Sequence, residues 1–244
     1  MSLLSVQQFT YSYSRLRRRL KAEALALGSH ATDIQLAKMQ ERQNALRRRI
    51  DGWVEIQQLY MPTVAAQRTA LLSAHDDTSL VYNLPLLLPS SPTVLTSCTA
   101  TLLEYEWSLR YAQVFDALAD LRGHLEFRTH LYKFKDRFAR GQRANTRAQS
   151  LIKAVDVKVA ADAERYRVAY AALQRMASRL AKHNWDVNLK PLLATDIRHV
   201  TEGEDGQSEG RRSMSWIWKA SASVGDSESG DLSDSLAECT SSPH

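Results

Sequence analysis

Residues 99–182 contain no proline, and apolar residues recur at helical spacing along almost all of that run. Proline removes an intrahelical hydrogen bond and clashes with the preceding turn, so a stretch this long without it restricts the chain to long helices. Leu102, Tyr105, Leu109, Ala112, Leu118, Leu121 and Leu125 follow at three- and four-residue spacing with one slip. Phe127, Leu131, Phe134 and Phe138 continue at i, i+4, i+7 and i+11, one face of a helix. Beyond Gly141, Ile152, Val159, Tyr166, Leu173 and Leu180 repeat every seventh residue. Val155, Ala169 and Met176 fill the alternate heptad position, and Asp162 is its one polar break. The spacing predicts two long helices broken or bent near residues 141–145. They form either an antiparallel hairpin or one continuous rod that pairs with another chain.

The flanks are less regular. Residues 1–73 read as an N-terminal helical section. Ala22, Ala24, Leu25 and Leu27 favour helix before a stop at Gly28. Thr32 followed by Gln35 fits a capping box that opens a helix toward Tyr60. Ile34, Leu46, Ile50 and Trp53 supply part of its buried stripe, Gly52 weakens it, and Pro62 ends or restarts it. Residues 74–97 read as a linker, with a turn at 76–79 and Pro85, Pro89 and Pro92 forbidding regular helix. Residues 98–200 hold the hairpin and a short helix at 184–199. Residues 201–244 form an acidic, low-complexity tail too poor in apolar residues to fold alone. Only 9 glycines and 6 prolines in 244 residues argue against a many-stranded β fold. The expected class is therefore mostly α: a long antiparallel helical hairpin or coiled coil, an N-terminal helical section and a disordered acidic C-terminal tail.

The net charge of +5 conceals an uneven layout. Residues 15–68 carry 11 basic and 5 acidic side chains, and residues 122–182 carry 15 and 5. Residues 202–244 carry 3 and 9. An acidic tail on a basic body suggests that the tail covers the basic helices and competes with polyanions. The 2 cysteines, Cys98 and Cys239, are too few and too far apart for a disulfide scaffold or a cysteine-based zinc site. No apolar stretch of signal-peptide kind precedes the arginines at 15–19, and the apolar run at 84–88 is too short to span a bilayer. An intracellular, soluble protein without membrane partners is the expectation.

Three stretches, read together with a fourth, carry a family resemblance. They are Gly52-Trp53-Val54-Glu55-Ile56-Gln57-Gln58-Leu59-Tyr60-Met61-Pro62, Glu104-Tyr105-Glu106-Trp107, and the basic motif running from His130-Leu131-Tyr132-Lys133-Phe134-Lys135 to Arg147. The fourth is Glu209-Gly210-Arg211-Arg212-Ser213-Met214-Ser215-Trp216-Ile217-Trp218. From about Ala37 to Trp218 the chain resembles the C-terminal helical region of fungal KDZ-type (Kyakuja-Dileera-Zisupton) transposases. Nothing here matches the cysteine cluster or the acidic catalytic core that such proteins carry upstream. Members of the family also tend to continue past the Trp-Ile-Trp stretch into another charged helix. The resemblance thus implies a transposon-derived, non-enzymatic piece whose partners are DNA or another transposase segment, and whose location is nuclear. The rival readings are a coiled-coil assembly module that pairs with itself and has no nucleic-acid affinity, and an eroded remnant without function.

Within the basic motif, Arg128, Lys133, Lys135, Arg137, Arg140, Arg143 and Arg147 project over one broad arc, with Phe127, Leu131, Phe134 and Phe138 on the opposite side. That placement makes the aromatics core anchors rather than base-stacking platforms. The cations are candidate contacts to successive phosphates, or else an ordinary solvated helix face. Residues 15–21 and 47–49 are smaller basic clusters, suited to nuclear import, phosphate contact or helix ends. Asp116, Asp120 and His124 share one helix face, a spacing as typical of a solvated stripe as of a metal site. No facing ligand pair stands out, and no metal or cofactor is expected. Glycine-rich phosphate loops, His-Glu-x-x-His and Gly-x-Ser-x-Gly are missing, so neither an enzyme nor a small-molecule substrate is expected. Trp216-Ile217-Trp218 is either a linear anchor for a partner or a segment that folds back onto the helical body.

Overall fold

Thr32 opens the first well-bounded helix. Its side chain accepts the Gln35 backbone N–H while the Gln35 side chain accepts the Thr32 N–H, the reciprocal capping box its sequence predicts. The computed structural model describes residues 13, 16–21, 23–25, 27, 31–74, 80–94, 97–200 and 214–220. Helix α1 spans Asp33–Tyr60, α2 Val64–Ala74, α3 Ala100–Phe138 and α4 Gln142–Ala177. Pro62 separates α1 from α2. No strand occurs among the described residues. The stop at Gly28, the turn at 76–79 and the acidic segments 201–213 and 221–244 lie outside them. The described residues fall into two compact units, one of residues 1–113 with 168–183 and the other of 114–167 with 184–244.

In the first unit, Met39, Leu46, Ile50 and Trp53 on α1 are buried against Tyr13, Leu20, Tyr82, Leu84 and Leu86. Ile34, expected in that stripe, is instead 68% exposed, because the helix's first turn runs beyond its packing partners. The proline-containing segment after residue 80 is irregular, as its prolines require, but it carries buried side chains rather than spanning solvent. Leu84, Leu86, Leu87 and Val94 are all buried. Its carbonyls, unable to join a ladder, are taken up by side chains. Trp53 Nε1 donates to Leu86 O at 3.3 Å, and Gln57 Nε2 donates to Leu86 O and Leu87 O at 3.1 and 2.6 Å.

The start of α3 departs from the apolar pattern. Leu102 and Leu109 are only half-buried, and Tyr105 and Ala112 are exposed. The buried face is one position on: Leu103, Glu106, Trp107, Arg110, Gln113 and Val114. Charged residues occupy that face because they are paired. Glu106 accepts the Ser90 backbone N–H and hydroxyl at 2.7 and 2.6 Å and Arg110 Nε at 3.1 Å. Arg110 also donates to Gln113 at 2.9 Å. From α4, Arg175 Nε donates to Ser90 O at 3.0 Å, so this serine ties both long helices to the proline segment. A buried ion pair persists when its remaining hydrogen-bonding capacity is filled, as here.

In the second unit the two long helices form an antiparallel hairpin. Partners rise along α3 as they fall along α4: Asp120 with Arg165, His124 with Asp162, Arg128 with Asp156 and Lys135 with Gln149. Ile152, Val155, Val159 and Tyr166 are buried here, as Leu173 and Met176 are in the first unit, so the heptad of α4 faces its own chain. The polar break, Asp162, is engaged by His124 Nδ1 at 2.6 Å and by Arg165 at 3.3 Å. The bend turns on Gly141, whose φ of +81° lies in the left-handed region that glycine enters without steric cost. The short helix expected over 184–199 is not formed. Only a single 3-10 turn, Ala194–Asp196, interrupts irregular chain there. Tyr166 Oη donates to Lys190 O and Arg167 Nε to Leu192 O, at 2.7 and 3.0 Å, and these bonds hold that chain extended along α4.

Candidate nucleic-acid interface

The seven cations of the basic motif all lie in the second unit, where the hairpin bends, and they divide into two groups. Arg128 is 18% exposed and pairs with Asp156, while Lys135 is half-buried and donates to Gln149 Oε1 at 3.0 Å. These two belong to the seam between the helices. Lys133, Arg137, Arg140, Arg143 and Arg147 are exposed, and among the described residues none of the five forms an ion pair. They do not share one helix. Lys133 and Arg137 lie on the last turns of α3, Arg140 in the turn, and Arg143 and Arg147 on the first turns of α4.

Local electrostatics differ on the two sides of the bend. Lys135 and Arg137 stand in the last turn of α3, where the carbonyl end of the helix dipole favours cations. Arg143 stands in the first turn of α4, which has no acidic residue to match its N-terminus. Positive side chains there add to a positive helix end, which lowers the cost of bringing an anion to it.

The aromatic stripe is a correction. Phe127, Phe134 and Phe138 are 52%, 57% and 60% exposed, not core anchors. At about 100° per residue they sit roughly a third of a turn from the seam positions Leu121, Leu125, Arg128 and Lys135. Set off the seam, the rings do not cover the apolar side chains buried within it near the bend, Ala148 and Ile152. They face solvent beside Lys133 and Arg137 rather than opposite the cations. Phe134 and Phe138 lie with ring centroids 5.3 Å apart at 40°, and the Arg137 guanidinium is 5.9 Å from the Phe138 centroid. His130, Leu131, Lys133, Phe134, Asp136, Arg137 and Phe138 line one depression.

Other candidates resolve differently. Asp120 and His124 are engaged across the hairpin by Arg165 and Asp162, as members of a ladder of polar contacts. Trp216-Ile217-Trp218 folds back onto the second unit. Ile217 is fully buried, Trp216 packs on Tyr166 with centroids 5.7 Å apart, and Trp218 Nε1 donates to Arg198 O at 3.0 Å. Arg122 clamps the segment by donating to Ile217 O at 2.6 Å and to Ala220 O. Sequence reading missed this clamp, since a lone arginine on a helix signals nothing about a backbone 95 residues away. No described helix is long and apolar enough to cross a membrane. No family model, curated protein or solved structure matches the chain.

Proposed function

We propose that this is a non-enzymatic, transposon-derived helical protein that contacts DNA phosphates through the bend of its hairpin. The observation that carries the reading is the contrast among cations of the second unit. Arg122, Arg128, Lys135, Arg165 and Arg167 are each engaged by the protein itself, and Lys153, Lys158, Lys190 and Lys219 are exposed but spread along the chain, whereas Lys133, Arg137, Arg140, Arg143 and Arg147 are exposed, form no ion pair and are gathered at the bend. The basic motif on which the KDZ-type resemblance rests most heavily is this same segment. Clustered cations that form no ion pair, even with Asp136 lining the same depression, suit a polyanion, and phosphate contact of this kind carries no sequence information. The heptad of α4 supports the rival assembly reading less, because its residues are buried within the chain.

Titration into labelled duplex DNA at two salt concentrations tests the reading. Five phosphate contacts predict a slope of log K against log salt of about −4 to −5. Replacing Arg137, Arg140, Arg143 and Arg147 by glutamine should flatten that slope to about −1. Absence of binding at low salt would overturn the reading.

A further inference from the structure

Three of the chain's 5 phenylalanines stand on the last turns of α3, and all three are more than half exposed. Phosphate contact alone leaves them unexplained, since cations suffice for it. An exposed ring gains most from an occupant that brings apolar surface to it, and a flat face covers it best. In a duplex each base face is covered by its neighbours, so rings beside the backbone find only sugar and phosphate. An unpaired strand offers free base faces and a charged backbone together, and proteins that hold such strands combine cationic grooves with aromatic platforms. The two features coexist here. Phe134 and Phe138 lie a helical turn apart, Arg137 stands over the Phe138 ring, Lys133 lines the same depression, and Arg140 follows in the turn.

Resting on the phosphate-binding reading above, we infer that the occupant of this bend is single-stranded nucleic acid. Its bases stack on Phe127, Phe134 and Phe138 while Lys133, Arg137 and Arg140 hold its backbone. Bases that stack rather than pair with side-chain donors are taken without sequence preference. The preference is for unpaired over paired DNA.

The test uses the full chain and three labelled probes of equal length: a mixed-sequence single strand, the corresponding duplex, and a strand with abasic sites in place of its bases. The single strand should bind more tightly than the duplex, and the abasic strand about tenfold more weakly than the intact one. Phe134→Leu with Phe138→Leu should reproduce that loss for the intact strand and leave duplex and abasic binding unchanged. Leucine is a good helix former at exposed sites, and an unchanged helical circular-dichroism signal verifies the fold. Equal binding of intact and abasic strands, or no effect of the leucine pair, overturns stacking and leaves the phosphate reading standing. No binding of any probe at low salt removes both. A concentration-dependent oligomer that the leucine pair abolishes would assign the rings to self-association and overturn the proposal.

Discussion

Glu106 shows how much a single residue carries in the first unit. Its carboxylate satisfies a backbone N–H, a hydroxyl and a guanidinium within one buried pocket. Glu106→Ala would leave Arg110 buried without its counter-charge and the Ser90 N–H without an acceptor. We expect a loss of about 3–5 kcal/mol in urea unfolding at 25 °C; a loss below about 1 kcal/mol would mean that water reaches the site. Cys98 is a second such case. Burial, and then the Glu106 charge, push its thiol above the usual range, and its sulfur lies 3.8 Å from that of Met61. Alkylation mapped to Cys98 should be slow at pH 8 in the folded protein and rapid in urea. Because the folded thiol holds its proton more tightly, its contribution to stability is full below the unfolded thiol's range and declines as pH rises through the folded one. Neither role is legible in sequence. A Glu at i and an Arg at i+4 on a helix reads as a solvated pair, and only the Ser90 loop folded over it makes it core.

At the scale of elements, the two ends of α4 make opposite predictions. Gly141 needs its left-handed φ, and Gly141→Ala should cost about 1 kcal/mol although a Cβ there meets open space. Ala181 adopts a φ of +49° just past the helix, where the Lys182 N–H reaches back to Ala177 O at 3.0 Å. That is a Schellman closure with alanine where glycine fits best, so Ala181→Gly should stabilise by about 1 kcal/mol. Thermal unfolding of the two variants checks both signs. The heptad of α4 makes a third prediction. A polar residue at Val159 or Leu173 should destabilise the monomer by several kcal/mol, rather than dissociate an oligomer, because both positions are buried within the chain. Helix boundaries were legible wherever a cap or a proline set them, as at Thr32 and Pro62. The buried face of early α3 was not, since the apolar pattern passes over Glu106, Arg110 and Gln113.

Across the whole molecule, charge is segregated along the chain. Residues 221–244 carry Asp226, Glu228, Asp231, Asp234 and Glu238 and no lysine or arginine. If these carboxylates compete for the exposed cations of the bend, deleting 221–244 should strengthen polyanion binding at low salt, with the gain fading near 0.15 M as screening sets in. Cutting after Ala220 keeps the Trp-Ile-Trp segment, whose loss would confound the measurement by stripping packing from Tyr166 and Arg122. Sequence alone determined the helical class, the bend at Gly141, the N-terminal cap and the heptad of α4, because each follows from local rules of backbone geometry and periodicity. Only the tertiary structure decided which face of α3 is buried, that the phenylalanines point to solvent, which cations stay unpaired and where Trp216 to Trp218 dock. Those outcomes depend on what lies opposite each side chain, and a helical period is silent about that.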